Sequence, residues 1–525
     1  MLLILPKLHI TLNNKDIKIE DPAKFLGVIF DSKLNWKPHI DYIVTKCKKR
    51  INIMRAVSGY RWGASKRALL SIYRALVRSV LDYGDVAYAT ASATQLKRLQ
   101  NVQSEALRLA CGTAKGTPVI ALQNECGEVP LNLRRLSNSI RFGAKILGSN
   151  VHPAADTMRD HWSNHYCTSS IKQNSIFKRT EHFFSTISEP FKSPIFQLTA
   201  PWLNKTTKVD LFLKKHINKK TDSPNIMSSL SLQLIDKYND HTSIYTDGSK
   251  FENVVSAAFY VPSVNSHNVY RLADNSSIYS AELTAIIEAI KWIIQSENVN
   301  DSTNKYIIYT DSLSVATSIK ENKSSSRPNL FLEFIDNINK LKNSSIVIAW
   351  IPSHIGLSGN EMADTLAKKG QEIPEINSTN YLELMEIYSL IKKYVINIWQ
   401  NEYDNEGKGR FYKSIQPLVS TDIKFMDSIR KREVQITRLR MGHVLNNNWL
   451  KVIGKSTTDL CSECQVPETI EHTLFACKKN DISVLLLKKC ADKKVECTVK
   501  SIFSIQDIYL EAYNILMTIT NGKIM

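Results

Sequence analysis

The sequence predicts an α/β domain, a mixed five-stranded sheet flanked by helices, over residues 241–372. Three observations predict it. Strand-like runs at Ile244–Lys250, Val254–Val261 and Val269–Ala273 follow one another in quick succession, as in an antiparallel meander. Two more apolar runs, Tyr306–Thr310 and Ile346–Trp350, are set apart by helical patterns. The resulting order (three strands, helix, strand, two helices, strand, helix) implies a sheet covered by helices.

Composition narrows the class of protein. A 43% hydrophobic fraction over 525 residues is enough for packed cores and argues against a mainly disordered chain. The net charge of +18 points to a polyanionic partner such as nucleic acid. That charge is uneven: residues 1–150 carry 24 Lys/Arg against 10 Asp/Glu, whereas residues 241–370 carry 11 against 13. Affinity for a phosphate backbone is therefore expected mostly from outside the α/β domain. Nine cysteines in such a length do not make a disulfide scaffold, and Cys47, Cys111, Cys126 and Cys167 read as scattered reduced thiols. The opening MLLILP is too short for a signal-peptide core, and no stretch approaches the ~20 apolar residues of a membrane span. The reading is an intracellular protein, nuclear or cytoplasmic, without a membrane partner.

In chain order, residues 24–36 read as a strand, a turn and a helix entry. Ile40, Ile43, Val44, Cys47, Ile51 and Met54 then recur at helical spacing, with Lys46, Lys48, Lys49 and Arg50 on the remaining surface. A stripe from Leu69 to Leu81 and another from Leu96 to Leu109 complete a basic three-helix domain over residues 1–150, suited to tracking a nucleic-acid backbone. Residues 151–240 are rich in Ser, Lys, Asn and Thr and are expected to be a linker. After the α/β domain come a helical connector, residues 373–455, and a tail, residues 456–525.

The chemistry concentrates in four carboxylates. Asp247 and Asp311 stand in or at the end of apolar strands, Glu282 begins a helix and Asp364 lies on a late one. A buried carboxylate is costly unless it is paired or protonated. Four that converge need cations between them, and oxygen ligands suit magnesium or manganese. Asn360 and Asp364 are four residues apart and share a helix face, while Met362 and Leu366 are expected to seat that helix on the core. His354 precedes Gly356 and Gly359 in a loop, a candidate for proton transfer near neutral pH.

The segments TDGS, SAEL, YTDS and HIGLSGNEMAD, in that order and at domain-sized spacing, closely resemble the type 1 ribonuclease H family. The resemblance covers about 130 residues, and no catalytic position is replaced. It implies that Asp247, Glu282, Asp311 and Asp364 hold two Mg2+ ions, with Mn2+ as an alternative and His354 assisting. It also implies cleavage of the RNA strand of RNA/DNA hybrids.

Outside that domain, FLGVIFDSKLNWKPHI, the Trp62–Gly63 pair, LVRSVLDYG and RLRMGH resemble the thumb-like and tail regions of non-LTR retrotransposon reverse transcriptases of the jockey and I-like lineages. No two aspartates are adjacent anywhere, so the polymerase Tyr-x-Asp-Asp turn is missing and DNA synthesis is not expected. The reading is a truncated polyprotein lacking the polymerase palm; the alternative is a non-catalytic nucleic-acid-binding relic. Cys461, Cys464, His472 and Cys477 have zinc-ligand spacing and are expected to close a structural site; four reduced, metal-free residues remain the other reading.

Overall fold

A computed structural model describes residues 11–519 except 14, 17–19, 150, 159–175, 189, 195–201, 203, 219–220, 300–303, 380, 425, 444–445, 453 and 478–481. The chain divides into two compact units. One comprises Met1–Ser139, Ser169–Ile176 and Tyr394–Met525; the other comprises Ile140–Thr168 and Phe177–Lys393.

The first unit begins with a hairpin, β1 (Ala23–Phe25) and β2 (Val28–Phe30), joined by Leu26 and Gly27. Both turn residues have positive φ, +44° and +84°, the backbone that a tight two-residue hairpin requires. Asp31 then accepts the backbone N–H groups of Asn35 (3.1 Å) and Trp36 (2.8 Å), which turns the chain into α1 (Lys37–Val57). Helix α2 (Lys66–Ile72) is N-capped by Ser65 and runs on through a wider π turn, Tyr73–Arg78. Helix α3 (Ala93–Cys111) is capped by Ser92 and stopped by Gly112 in the left-handed region, and α4 (Val119–Cys126) follows. The expected apolar stripes meet: Ile40, Ile43, Cys47, Leu69, Val77, Leu99 and Ala106 share one core. Cys47, Cys111 and Cys126 are buried free thiols, as the sequence suggests; Cys167 lies outside the described residues.

The second unit contains the sheet, which has six strands where five are expected. They are β3 (Lys208–Asp210), β4 (Thr242–Phe251), β5 (Val254–Val261), β6 (Ser266–Arg271), β7 (Lys305–Thr310) and β8 (Ser345–Trp350). Their spatial order is β3-β8-β7-β4-β5-β6, with β4-β5-β6 antiparallel and the other neighbours parallel. The extra strand comes from the stretch read as a linker, which also forms the helices Ile176–Ser185 and Pro224–Asp236. Three residues, Lys-Val-Asp, leave too short a pattern to read from sequence, yet Val209 pairs with Ile348 on the sheet edge. Helix α5 (Ile278–Val299) lays Leu283, Ile286, Ile290 and Ile293 against the sheet residues Phe259, Ile308 and Ile348. Helices α6 (Leu313–Lys320), α7 (Pro328–Lys340) and α8 (Ser358–Lys369) complete the cover. Met362 does not seat α8, being 44% exposed; Ala363, Leu366 and Ala367 are the buried face instead.

The connector does not start clear of this unit. Leu382 and Glu383 pair with Phe191 and Lys192, and helix α9 (Leu384–Asn405) opens with Glu386. Glu386 accepts the Ser277 N–H (2.5 Å) and the Ser280 hydroxyl (2.6 Å) at the start of α5, and forms an ion pair with the fully buried Arg327. Glu383 accepts the N–H groups of Asn329 (3.2 Å) and Leu330 (2.9 Å) at the start of α7. Each carboxylate thus satisfies orphan donors at a helix N-terminus, where negative charge is also favoured.

Residues 394–525 join the first unit rather than forming a separate connector end and tail. Helix α10 (Arg430–Arg440) is bound to α2, α3 and α4 by buried charge. Glu125 receives Lys66 Nζ (2.9 Å), the Tyr412 hydroxyl (2.9 Å) and the Arg440 guanidinium (3.1 Å). Arg430 donates to Glu433 (2.9 Å) and to the Ala110 carbonyl (2.9 Å). Removing one partner of a buried ion pair strands the other charge and costs about 3–5 kcal/mol. We predict a loss of that size for Glu386→Ala, read as a lower urea midpoint together with faster amide exchange in the first turn of α5; an unchanged midpoint would refute the role given to this pair.

Candidate active site

Strand register brings the first two carboxylates together. β4 and β7 run parallel with Thr246 opposite Thr310, so Asp247 and Asp311 are the next residues along neighbouring strands. Helix α5 adds Glu282 from its second turn. Its close approach depends on Gly248: a Cβ there would lie 2.7 Å from both Ala281 Cβ and the Glu282 backbone nitrogen. One oxygen from each of Asp247, Glu282 and Asp311 lies within 4.8 Å of the others.

Such a cluster is electrostatically strained. Asp247 is only 6% exposed, and its carboxyl is pushed up to about 8 by burial first, then by Asp311 and Asp364. The Gly248 N–H and Lys368 oppose the shift. Glu282 is raised well above the ordinary carboxylate range by burial, then by Asp247 and Asp311. Its Oε2 is buried without a hydrogen-bond partner. An all-oxygen donor set with an orphaned buried oxygen is what a hard divalent cation satisfies.

The other two expected residues stand differently. Asp364 lies outside the group of three; it is partly exposed and forms an ion pair with Lys368 one turn on, at 2.7 Å. It is close enough to raise the Asp247 carboxyl. His354 is exposed, with φ +56°, in the loop between β8 and α8. From sequence Asn360 has only a shared helix face, whereas its Oδ1 is buried and unpartnered, as the Glu282 Oε2 is. Gly248 and Gly359 were also given no role in the packing. A Cβ at Gly359 would stand 2.3 Å from the Tyr245 ring, so only glycine lets α8 settle there. The signal for both was on view, since each glycine sits inside a carboxylate-bearing motif.

The RNase H family model matches residues 239–372. This segment is an RNase H domain. The chain is similar to the protein named Ribonuclease H of Saccharomyces cerevisiae, at 29% identity over 161 residues, 25% of this chain and 46% of that one. The chain also resembles the retrovirus-related Pol polyprotein from type-1 retrotransposable element R1 of Bradysia coprophila, 29% identical over 75 residues, 14% of this chain and 8% of the relative. A third relative is the probable RNA-directed DNA polymerase from transposon BS of Drosophila melanogaster, 24% identical over 143 residues, 26% of this chain and 16% of that one. The chain spans less than half the length of each of these relatives.

A second constellation belongs to the first unit. Ligand atoms of Cys461, Cys464, His472 and Cys477 all fall within 4.8 Å of one another. Cys461 Sγ and Cys477 Sγ are 3.7 Å apart, close to the ~3.8 Å edge of a tetrahedron built with 2.3 Å zinc–sulfur bonds. The Cys464 backbone N–H, foremost among its neighbours, draws the Cys461 thiol down to about 6, towards the thiolate a metal requires. His472 is buried and its Nε2 has no hydrogen-bond partner. No helix among the described residues is long and apolar enough to cross a membrane.

Divalent cations should relieve the carboxylate repulsion. We predict that Mg2+ or Mn2+ at about a hundred times its dissociation constant stabilises the RNase H domain by about 2.7 kcal/mol. In Asp247→Asn that thermal shift should largely vanish, and without metal the variant should melt above the wild type. Equal metal-induced shifts in both proteins would exclude Asp247 as a ligand.

Proposed function

We propose that this chain is a metal-dependent endonuclease that hydrolyses the RNA strand of RNA/DNA hybrids. The observation that carries the reading is the convergence of Asp247, Glu282 and Asp311, with a buried Glu282 oxygen left unpartnered. Asp247, Glu282, Asp311 and Asp364 would hold two Mg2+ ions, with Mn2+ able to substitute. When bound, such ions supply a nucleophilic hydroxide at neutral pH and neutralise charge on the attacked phosphate and the leaving oxygen.

The protein's own groups do the rest. The parallel register of β4 and β7 holds Asp247 and Asp311 side by side without loop freedom. Glu282 is aimed by α5, whose first turn is held by Glu386. His354, on a loop with left-handed backbone at His354 and Gly356, would give a proton to the departing 3′-oxygen. The exposed Lys368 pairs with the partly exposed Asp364 carboxylate, so that residue would supply the more adjustable ligand. Choice of the RNA strand would rest on its 2′-hydroxyls and on hybrid shape.

With a labelled hybrid and magnesium, the wild type should release products with 5′-phosphate and 3′-hydroxyl ends and spare an all-DNA duplex. Asp247→Asn should slow cleavage by more than about a hundredfold, beyond what loss of a metal-supporting neighbour causes, while hybrid binding persists. Binding without cleavage by the wild type would instead mark a non-catalytic nucleic-acid-binding protein.

At the second constellation we propose a structural zinc held by Cys461, Cys464, His472 and Cys477. Metal analysis of the purified chain should then find about one zinc per molecule, and Cys461→Ser together with Cys477→Ser should remove it and lower the melting temperature of its unit. Zinc-free wild type of undiminished stability would count against the assignment.

A further inference from the structure

The segments FLGVIFDSKLNWKPHI and LVRSVLDYG meet at a cleft to which the nuclease reading gives no role. It encloses about 450 Å3 within the first unit. Lys24, Lys46 and Arg50 line it, and among the described residues no carboxylate does. The ammonium groups of Lys24 and Lys46 both stand over the Tyr42 ring, at 5.1 and 5.4 Å from its centroid. Lys46 Nζ also donates to the Tyr42 hydroxyl at 3.4 Å and the Arg50 guanidinium to the Leu76 carbonyl, but neither acceptor carries a charge, so these cations call for an anion.

His39 adds an independent observation. It lines the same cleft, yet is only 1% exposed. Its Nδ1 accepts the Ile29 N–H at 3.3 Å, so the ring proton sits on Nε2. That buried N–H has no hydrogen-bond partner. Burial holds the imidazole below its ordinary pKa, which keeps it a neutral donor at pH 7. An unpartnered buried donor on the wall of a cleft that three cations also line is matched by an anionic oxygen.

Tyr83 supplies a flat apolar face. Its hydroxyl donates to the Leu26 carbonyl at 2.5 Å, and its ring rests against Gly27, where a Cβ would stand 3.2 Å from Cε1. The β1–β2 turn thus pins the ring while the residue stays 56% exposed. A rigid, open aromatic next to a cationic pocket suits an unpaired base, whose face is free to stack; bases within a duplex are already covered by their neighbours.

We propose that this cleft binds one nucleotide unit of single-stranded nucleic acid, with its phosphodiester among Lys24, Lys46, Arg50 and the His39 Nε2–H, and its base on Tyr83. The assignment rests on nucleic acid being the chain's substrate class, but not on any cleavage by the carboxylate site. The test is equilibrium anisotropy of a fluorescein-labelled oligouridylate with the full chain, in magnesium-free buffer over a range of salt. Lys24→Gln and Lys46→Gln should each weaken binding and each lower the slope of log K against log salt by ~0.7. Tyr83→Leu should weaken binding by about tenfold with the slope unchanged, and an abasic strand should bind wild type and Tyr83→Leu alike. All three side chains lie at or near the surface, so melting temperatures should hold; Lys320→Gln, exposed on the RNase H domain, should bind as the wild type does. Unchanged affinity and slope in the double lysine variant, or no loss in Tyr83→Leu, would overturn the proposal. Hybrid cleavage is read separately, so failure here leaves the active site standing, and failure of cleavage leaves this cleft standing.

Discussion

Repulsion between carboxylates held abreast on neighbouring strands, Asp247 within β4 and Asp311 just past the end of β7, is the constraint on which the RNase H domain turns. Asp247 and Asp311 are brought abreast by the β4–β7 register, and Glu282 is driven in beside them by α5. Left to itself this arrangement opposes folding, because Asp247 and Glu282 are buried and the half-buried Asp311 stands beside both. It persists because the surroundings over-determine it. The apolar seam of α5 against Phe259, Ile308 and Ile348 is large, and Gly248 removes the one side chain that would keep helix and strand apart. Stability is given up at the site and recovered in the packing around it.

Buried charge of the other kind, fully paired, organises the first unit. Glu125 gathers Lys66, Arg440 and Tyr412, while Arg430 and Glu433 reach the backbone of α3 and α2. The contacts of Arg430, Glu433 and Arg440 join residues more than three hundred positions apart. Pairing of this sort adds little net stability over an apolar core, but it punishes any mispacking severely. Its effect is to specify which helices meet.

This accounts for what could and could not be read from the sequence. The RNase H domain was legible because each carboxylate lies within a strongly patterned strand or helix, so motif and element identify each other. The N-terminal helices were legible as well, since Leu69, Val77, Leu99 and Ala106 recur at the spacing of a buried face. Their partnership with residues 394–525 was not, because Lys66, Arg430 and Arg440 look in sequence like ordinary solvated charges on helices. β3 escaped because three residues carry no period, and Met362 misled because residues four apart share a side of a helix without being equally central to it. The lysine one turn after Asp364, which pairs with it, carries no mark in the motif that would single it out.

The caps supplied by Glu383 and Glu386 bear on where the RNase H domain ends as a physical object. The family match stops at residue 372, yet Arg327 is wholly enclosed and its counter-charges arrive only with residues 383 and 386. A fragment trimmed to the family boundary would seal a guanidinium inside with nothing to neutralise it, and would bare the amides at the start of both α5 and α7. The autonomous piece therefore extends into α9, and excision should respect that seam rather than the shorter limit set by likeness to relatives.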